Sequence, residues 1–252
     1  MTPPLGRLAR RILPGAAWRG LSALGWIDDA DVPVGAVRFG TLRRVSPIAR
    51  DFGLRRGRPV DRHYIEQFLA SRAADIRGRV LEIADDEYTR RFGGGRVERS
   101  DVLHAVPGNA RATLVGDLAT GNGVPVGAFD CVICTQTLLC IYDLRAAVHT
   151  LCRSLRPGGV ALVTLPGICQ IARYDHERWG DFWRFTDLSA RRLFEEAFPA
   201  DRVQVETHGN VLAAVAFLHG LTAGELSLPE LEAHDPDYQV TIAVRAANRE
   251  GA

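Results

Sequence analysis

The sequence predicts an α/β fold: a doubly wound sheet, mostly parallel, with an antiparallel C-terminal strand and helices on both faces. Three observations predict it. Short apolar runs, VLEIA (80–84), ATLVGDL (112–118), FDCVIC (129–134) and VALVTLPG (160–167), alternate with stretches of helical periodicity. Turn residues punctuate them, notably Gly93, Gly94 and Gly95, and Pro157, Gly158 and Gly159. The last two apolar runs, DRVQVETHGN (201–210) and YQVTIAVRA (238–246), are separated by one apolar helix and the loop PELEAHDPD, a spacing that lets them pair antiparallel at the sheet edge.

Taken in order, residues 1–57 form an N-terminal arm, partly helical and basic, and residues 58–252 form the main domain. In the arm, Leu5, Leu8 and Ile12 fall at helical spacing with Arg7, Arg10 and Arg11 on other faces. Pro14 and Gly15 then break the helix before Trp18, Leu21, Leu24 and Trp26. Such an arm suits either packing on the core or peripheral contact with an anionic membrane or a protein partner. The main domain opens with a helix over 63–76, whose stripe is Tyr64, Ile65, Phe68, Leu69 and Ile76, ended by Gly78 before the first strand. A short helix over 88–92 leads to the second strand, 96–103. A helix over 142–155 stops at Pro157, Gly158 and Gly159 ahead of the fifth strand, and Asp187 caps a helix that ends near 198.

Composition removes several chemistries. A formal net charge of +1 argues against a nucleic-acid partner held by a broad basic field. All 31 basic residues are arginine, so a phosphate-loop lysine, a Schiff-base lysine and a lysine general base are excluded. The five cysteines form no spaced framework, which points to a reducing, cytoplasmic setting. Cys131 and Cys134 spell CxxC, but on a strand residues three apart face opposite sides, so they read as small buried hydrophobes. No apolar run reaches the length of a membrane span, and no secretory signal pattern is present.

In a sheet of this kind ligands sit beyond the carboxyl ends of the strands, where strand order reverses. Three acids are expected to gather there: Glu82 within the first strand, Asp101 closing the second and Asp117 closing the third. A rim of carboxylates suits hydroxyls and amines rather than phosphate. Consistently, the glycine-rich turn that closes on phosphate is missing after the first strand, where Ala84, Asp85, Asp86 and Glu87 stand instead. A nicotinamide-dependent oxidoreductase is therefore disfavoured.

Over about residues 60–246 the chain resembles the class I S-adenosylmethionine-dependent methyltransferases, with their Rossmann-like fold. VLEI with Glu82 is similar to the family's first motif. The run FDCVICTQTLLCIYDLRAAVHTLCRSLRPGGVALVTLPG is similar to its fourth strand, helix, glycine turn and fifth strand, and WRFT before a helix ending EEAF is similar to a segment of small-molecule members. The departure is ADDEYTRRFGGG in place of the glycine turn. The resemblance implies binding of S-adenosylmethionine, with S-adenosylhomocysteine as product. The cofactor residues it implies are Arg62 and Tyr64 at the methionine end, Glu82, Ala84 and Asp85 at the turn, Asp101 and Val102 at the ribose, Asp117 and Leu118 at the adenine, and Gln136 at the transfer centre. It further implies methyl transfer to a small hydroxyl-bearing acceptor, a sugar or secondary metabolite, in a bacterial biosynthetic pathway.

In the loop after the fifth strand, His176 is the expected general base and Asp181 the second choice, with Trp179 and Trp183 as an aromatic wall. His104 reads as a turn cap. No metal is assigned, although Asp175, His176 and Asp181 are near one another in sequence. The altered turn and the basic arm favour an alternative of a different class: a protein of this fold that binds the cofactor or a metabolite without transferring a methyl group.

Overall fold

The computed structural model describes residue 35 and residues 37–250. The amphipathic segment read at 5–26 lies outside them. The chain divides into two compact units, Met1–Ser46 and Pro47–Ala252. The described part of the first contains one 3-10 turn, Gly40–Leu42, beside which the Arg43 guanidinium lies 5.4 Å from the Phe39 ring.

The second unit is built on seven strands: β1 Gly78–Ile83, β2 Val97–His104, β3 Leu114–Val115, β4 Phe129–Thr135, β5 Leu155–Pro166, β6 Val203–His208 and β7 Thr241–Ala247. Their order is β3-β2-β1-β4-β5-β7-β6. Every pairing is parallel except those of β7, which runs antiparallel to both β5 and β6. The expected doubly wound sheet with its antiparallel C-terminal strand is thus present. Strand order reverses between β1 and β4, and this places the ligand crevice above their carboxyl ends.

Apolar alternation decides which helix covers which face. Helix α1, Val60–Ser71, lays Ile65, Phe68 and Leu69 on Val80, Cys131, Ile133 and Leu162. On the opposite face, α2, Leu144–Ser154, and α4, Asp187–Glu195, pack Ala147, Val148, Leu151 and Phe194 on Leu81, Val132, Cys134 and Val163. Cys131 and Cys134 accordingly lie in the two different cores. Burial raises both thiols, that of Cys134 to about 12, so neither is a ready nucleophile or metal ligand. The remaining helices are α3, Arg173–Arg178, α5, Val211–Leu218, and α6, Leu228–Glu232. A third cluster, with Tyr64, Ala213, Phe217, Leu231 and Val240, joins α1 to α5 and α6. Among the described residues no helix is long and apolar enough to cross a membrane.

Several boundaries differ from the sequence expectation for identifiable reasons. Helix α1 starts at Val60 rather than 63, because Pro59 stands at the N-cap with its φ already fixed at −58°. Pro157, Gly158 and Gly159 do not precede β5; they lie within it. Gly158 at φ +73° lies in the irregular stretch where the register with β4 jumps from Phe129 opposite Leu155 to Cys131 opposite Val160. The cap of α4 is Thr186, which shares a reciprocal capping box with Ser189, and Asp187 is the first helical residue. β3 has only two residues, so Asp117 follows it in a turn. β2 continues past Asp101 to His104, because Val102 and Leu103 bury themselves on alternate faces and extend the strand.

Candidate functional site

The crevice is floored by the turn that leaves β1. Ala84 adopts φ +75°, the left-handed conformation that ordinarily calls for glycine. Carboxylates hold that shape. Glu82, 2% exposed, accepts hydrogen bonds from the Tyr88 amide (3.1 Å), the Thr89 amide (2.7 Å) and the Thr89 hydroxyl (2.7 Å). Asp85 accepts from the Glu87 amide at 2.9 Å. Asp86 pairs with Arg90 at 3.4 Å and with Arg111 at 3.0 Å. The Asn109 amide donates to the Ala84 carbonyl at 2.7 Å, tying the segment after β2 to the same turn. Burial pushes the Glu82 carboxyl up to about 7, against the pull of its hydrogen bonds from Thr89 and Tyr88.

Beside the turn stands a cation. Arg62, on the first turn of α1, donates to the Tyr88 hydroxyl at 2.7 Å and lies 6.0 Å from its ring centre. Tyr88, Asp61 and Asp85 all favour its charge and outweigh the cost of burying it. Arg62 and Asp85 therefore present opposite charges next to a turn whose Ala84 is exposed.

Tyr64, two residues further along α1, faces elsewhere. It is 1% exposed, donates its hydroxyl to the Leu231 carbonyl at 3.0 Å and stacks on His208 at 5.6 Å. With Gln67, Glu206, His208, Glu232 and His234 it lines a separate cavity of about 370 Å³ between α1 and β6. Burial there holds the His208 imidazole down at about 4.

Asp101 lies inside β2 at the height of Leu81, 1% exposed. Arg79 at 2.7 Å, Arg99 at 3.1 Å and the Thr113 hydroxyl at 3.1 Å engage its oxygens. Burial acts to raise its pKa, but hydrogen bonds from Arg79, Arg99 and Thr113 prevail and keep it below the usual aspartate range. Val102 is buried beside Glu82 in the strand register. Asp117 is exposed and closes its own turn by accepting from the Ala119 amide (2.8 Å) and the Thr120 hydroxyl (3.2 Å), while Leu118 enters the core. Gln136 leaves β4 at φ +47°, its amide bonded to the Thr164 carbonyl at 2.9 Å, so its side chain starts from the rim beside the crevice.

The loop after β5 crosses the rim. Arg184 clamps Asp181, whose side chain has no exposed surface, and also donates to the Gln170 carbonyl at 2.8 Å. The Ala172 amide donates to Asp181 at 2.8 Å. Burial acts to raise Asp181, but these bonds hold it below the ordinary carboxylate value. His176 lies exposed on α3. Phe182 and Trp183 are anchored through the Leu139 and Ile141 carbonyls. Trp179 reaches across to the end of β2, where its ring stands 5.6 Å from His104, nearly perpendicular. Arg184, Asn109 and Arg111 had no periodic or spacing signal in the sequence.

Comparison with known proteins follows the same lines. Residues 68–163 match the methyltransferase domain family. The fold is similar to that of the N-methyltransferase NodS from Bradyrhizobium japonicum WM9, solved with S-adenosyl-L-homocysteine: 17% identity, 81% of this chain and 95% of that one covered, TM-score 0.50. It is also similar to a chain of the complex that contains the Haloferax volcanii Trm112 methyltransferase activator: 16% identity, 75% and 92% covered, TM-score 0.50. No curated protein matches the sequence. The family match at residues 68–163 covers less than half of the chain; together with the shared fold it supports a class I S-adenosylmethionine-dependent methyltransferase.

Proposed function

We propose that the protein transfers a methyl group from S-adenosylmethionine to a hydroxyl of a small acceptor, a sugar or secondary metabolite. The observation that carries this reading is the left-handed turn at Ala84, held by Glu82 and flanked by Arg62 and Asp85. At this turn only the methyl group of the exposed Ala84 stands between a ligand and the backbone. Arg62 is suited to a ligand carboxylate and Asp85 to an ammonium, the two charges at the amino-acid end of this cofactor. The donor and acceptor set therefore fits the group. Bound there, S-adenosylmethionine supplies an electrophilic methyl on a sulfonium.

The chain's own contribution is orientation and proton handling. Gln136 borders the transfer centre, and Trp179 and Trp183 wall the acceptor side. Asp181, fixed by Arg184 and the Ala172 amide, acts as a positioning residue that holds the loop in shape. That leaves the His176 imidazole to take the hydroxyl proton. Carrying both members of the loop pair as bases is unnecessary, since a carboxylate locked to arginine is a poor proton acceptor.

One observation favours the second reading, binding without methyl transfer: His176 and Asp181 do not form a hydrogen-bonded pair, since Asp181 is engaged by Arg184. Calorimetric titration with S-adenosylmethionine, followed by mass-spectrometric assay of S-adenosylhomocysteine release on a panel of hydroxylated sugars and phenols, separates the two. Methyl transfer is expected to be lost in His176→Ala with cofactor affinity unchanged. Tight cofactor binding with no product on any acceptor would transfer support to the second reading, and no binding of the cofactor would overturn the first and leave the second only as binding of another metabolite.

A further inference from the structure

The strand register raises a question about the ribose end of the site. β1 and β2 run side by side with Leu81 opposite Asp101, Glu82 opposite Val102 and Ile83 opposite Leu103. The Ala84 amide then donates to the Leu103 carbonyl at 2.9 Å. The β2 residue level with the Ala84 turn is therefore His104. Asp101 lies three residues lower, about 10 Å along the strand at roughly 3.3 Å per residue. It is also enclosed by two arginines and a threonine hydroxyl, so no free acceptor is left for a ligand.

His104 has what Asp101 lacks. It is half-buried at the strand's end, and its Nδ1 lies 2.7 Å from the Val106 carbonyl oxygen. The Val106 amide nitrogen lies farther from the same atom, at 3.4 Å; the shorter contact is to the carbonyl, which only accepts, so in that contact Nδ1 carries the proton and in the neutral ring Nε2 is left with a lone pair. The ring is braced by Trp179 at 5.6 Å and an interplanar angle of 85°. The segment that follows is tied back to the crevice through Asn109 and the Ala84 carbonyl. The result is an oriented ring across from the turn, contacted from above by the acceptor-side loop.

We infer that His104, through Nε2, receives one hydroxyl of the cofactor's ribose in place of a carboxylate. This rests on the reading that the crevice holds S-adenosylmethionine. A carboxylate offers two oxygens to the two hydroxyls of a ribose, whereas an imidazole offers one lone pair. The site is therefore monodentate: one ribose hydroxyl matters and the other does not.

The test is calorimetric titration of the wild-type protein, His104→Ala and His104→Asn with S-adenosylhomocysteine and with its 2′-deoxy and 3′-deoxy analogues. Wild type is expected to bind S-adenosylhomocysteine, to lose about five-fold in affinity for one deoxy analogue, and to bind the other almost unchanged. His104→Ala is expected to lose about the same factor for the parent ligand and to bind all three ligands alike. His104→Asn keeps an acceptor and is expected to restore part of the difference. Asp101→Asn serves as a control in which the difference between analogues persists. Equal affinity of wild type and His104→Ala for S-adenosylhomocysteine would overturn the assignment while leaving the cofactor reading intact. So would a difference between analogues that survives in His104→Ala. Wild type that binds none of the ligands would remove both.

Discussion

The turn after β1 and the loop after β5 are both held by carboxylates, but the carboxylates act on different partners. At the turn, Glu82 and Asp85 accept from backbone amides, and the chain is bent into a shape that glycine normally provides. In the loop, Asp181 accepts chiefly from a guanidinium, and what is fixed is the path of a longer crossing segment. Loss of glycine after β1 is thus compensated locally. An acid in a plausible catalytic position is, in the loop, a structural tie.

The contrast can be broken at its strongest point first. Glu82→Ala leaves the Tyr88 and Thr89 amides buried without an acceptor and is expected to cost about 3 kcal/mol in a denaturant melt. Glu82 also makes the turn sensitive to pH. Its carboxyl keeps a proton up to about 7 in the folded protein, because burial outweighs the hydrogen bonds from Thr89 and Tyr88, while the unfolded chain releases it near 4.5. Between those values the folded state holds the extra proton, so stability falls as pH rises from 4.5 to 7, by at most about 3 kcal/mol. Melts of Glu82→Gln across that window should lack the slope.

The loop is expected to respond more locally. Arg184→Ala strands a carboxylate with no exposed surface, at a cost of about 2 kcal/mol, and hydrogen exchange should speed up over residues 170–184 before it does in the sheet. If exchange instead rises uniformly, the clamp is part of the global core and the distinction between the two regions fails. The smallest effect is at Ala84. Replacing it with glycine relieves the left-handed strain and is expected to raise stability by about 0.5 kcal/mol, part of the gain being lost to the freer unfolded chain. A drop in stability would mean that the turn does not depend on that conformation.

Much of the fold was legible in the sequence because alternation and turn residues report burial directly. The strands around Leu81, Val132 and Val163 and the helical stripe of Ile65, Phe68 and Leu69 follow from period alone. Pro157 to Gly159 misled because they are residues that usually stop a segment, and here they form a bulge inside β5. The crevice was legible at Glu82 and Ala84, which keep their places whatever the turn is made of. It was less so at Asp101, an acid that resembles a strand end. Only the pairing register reveals that Val102 and Leu103 carry β2 onward and bring His104 to the rim. Arg184 falls within WRFT, but its pairing with Asp181 left no signal, since an ion pair inside a loop has no period.

The measurement that tests the central claim most directly is a crystal structure of the protein soaked or grown with S-adenosylhomocysteine. The expected result is ligand density in the crevice above β1 and β2, with its amino-acid end between Arg62 and Asp85 and its ribose against His104. Density in the cavity beside Tyr64 and His208 instead, or a crevice without ligand at saturating concentration, would contradict it.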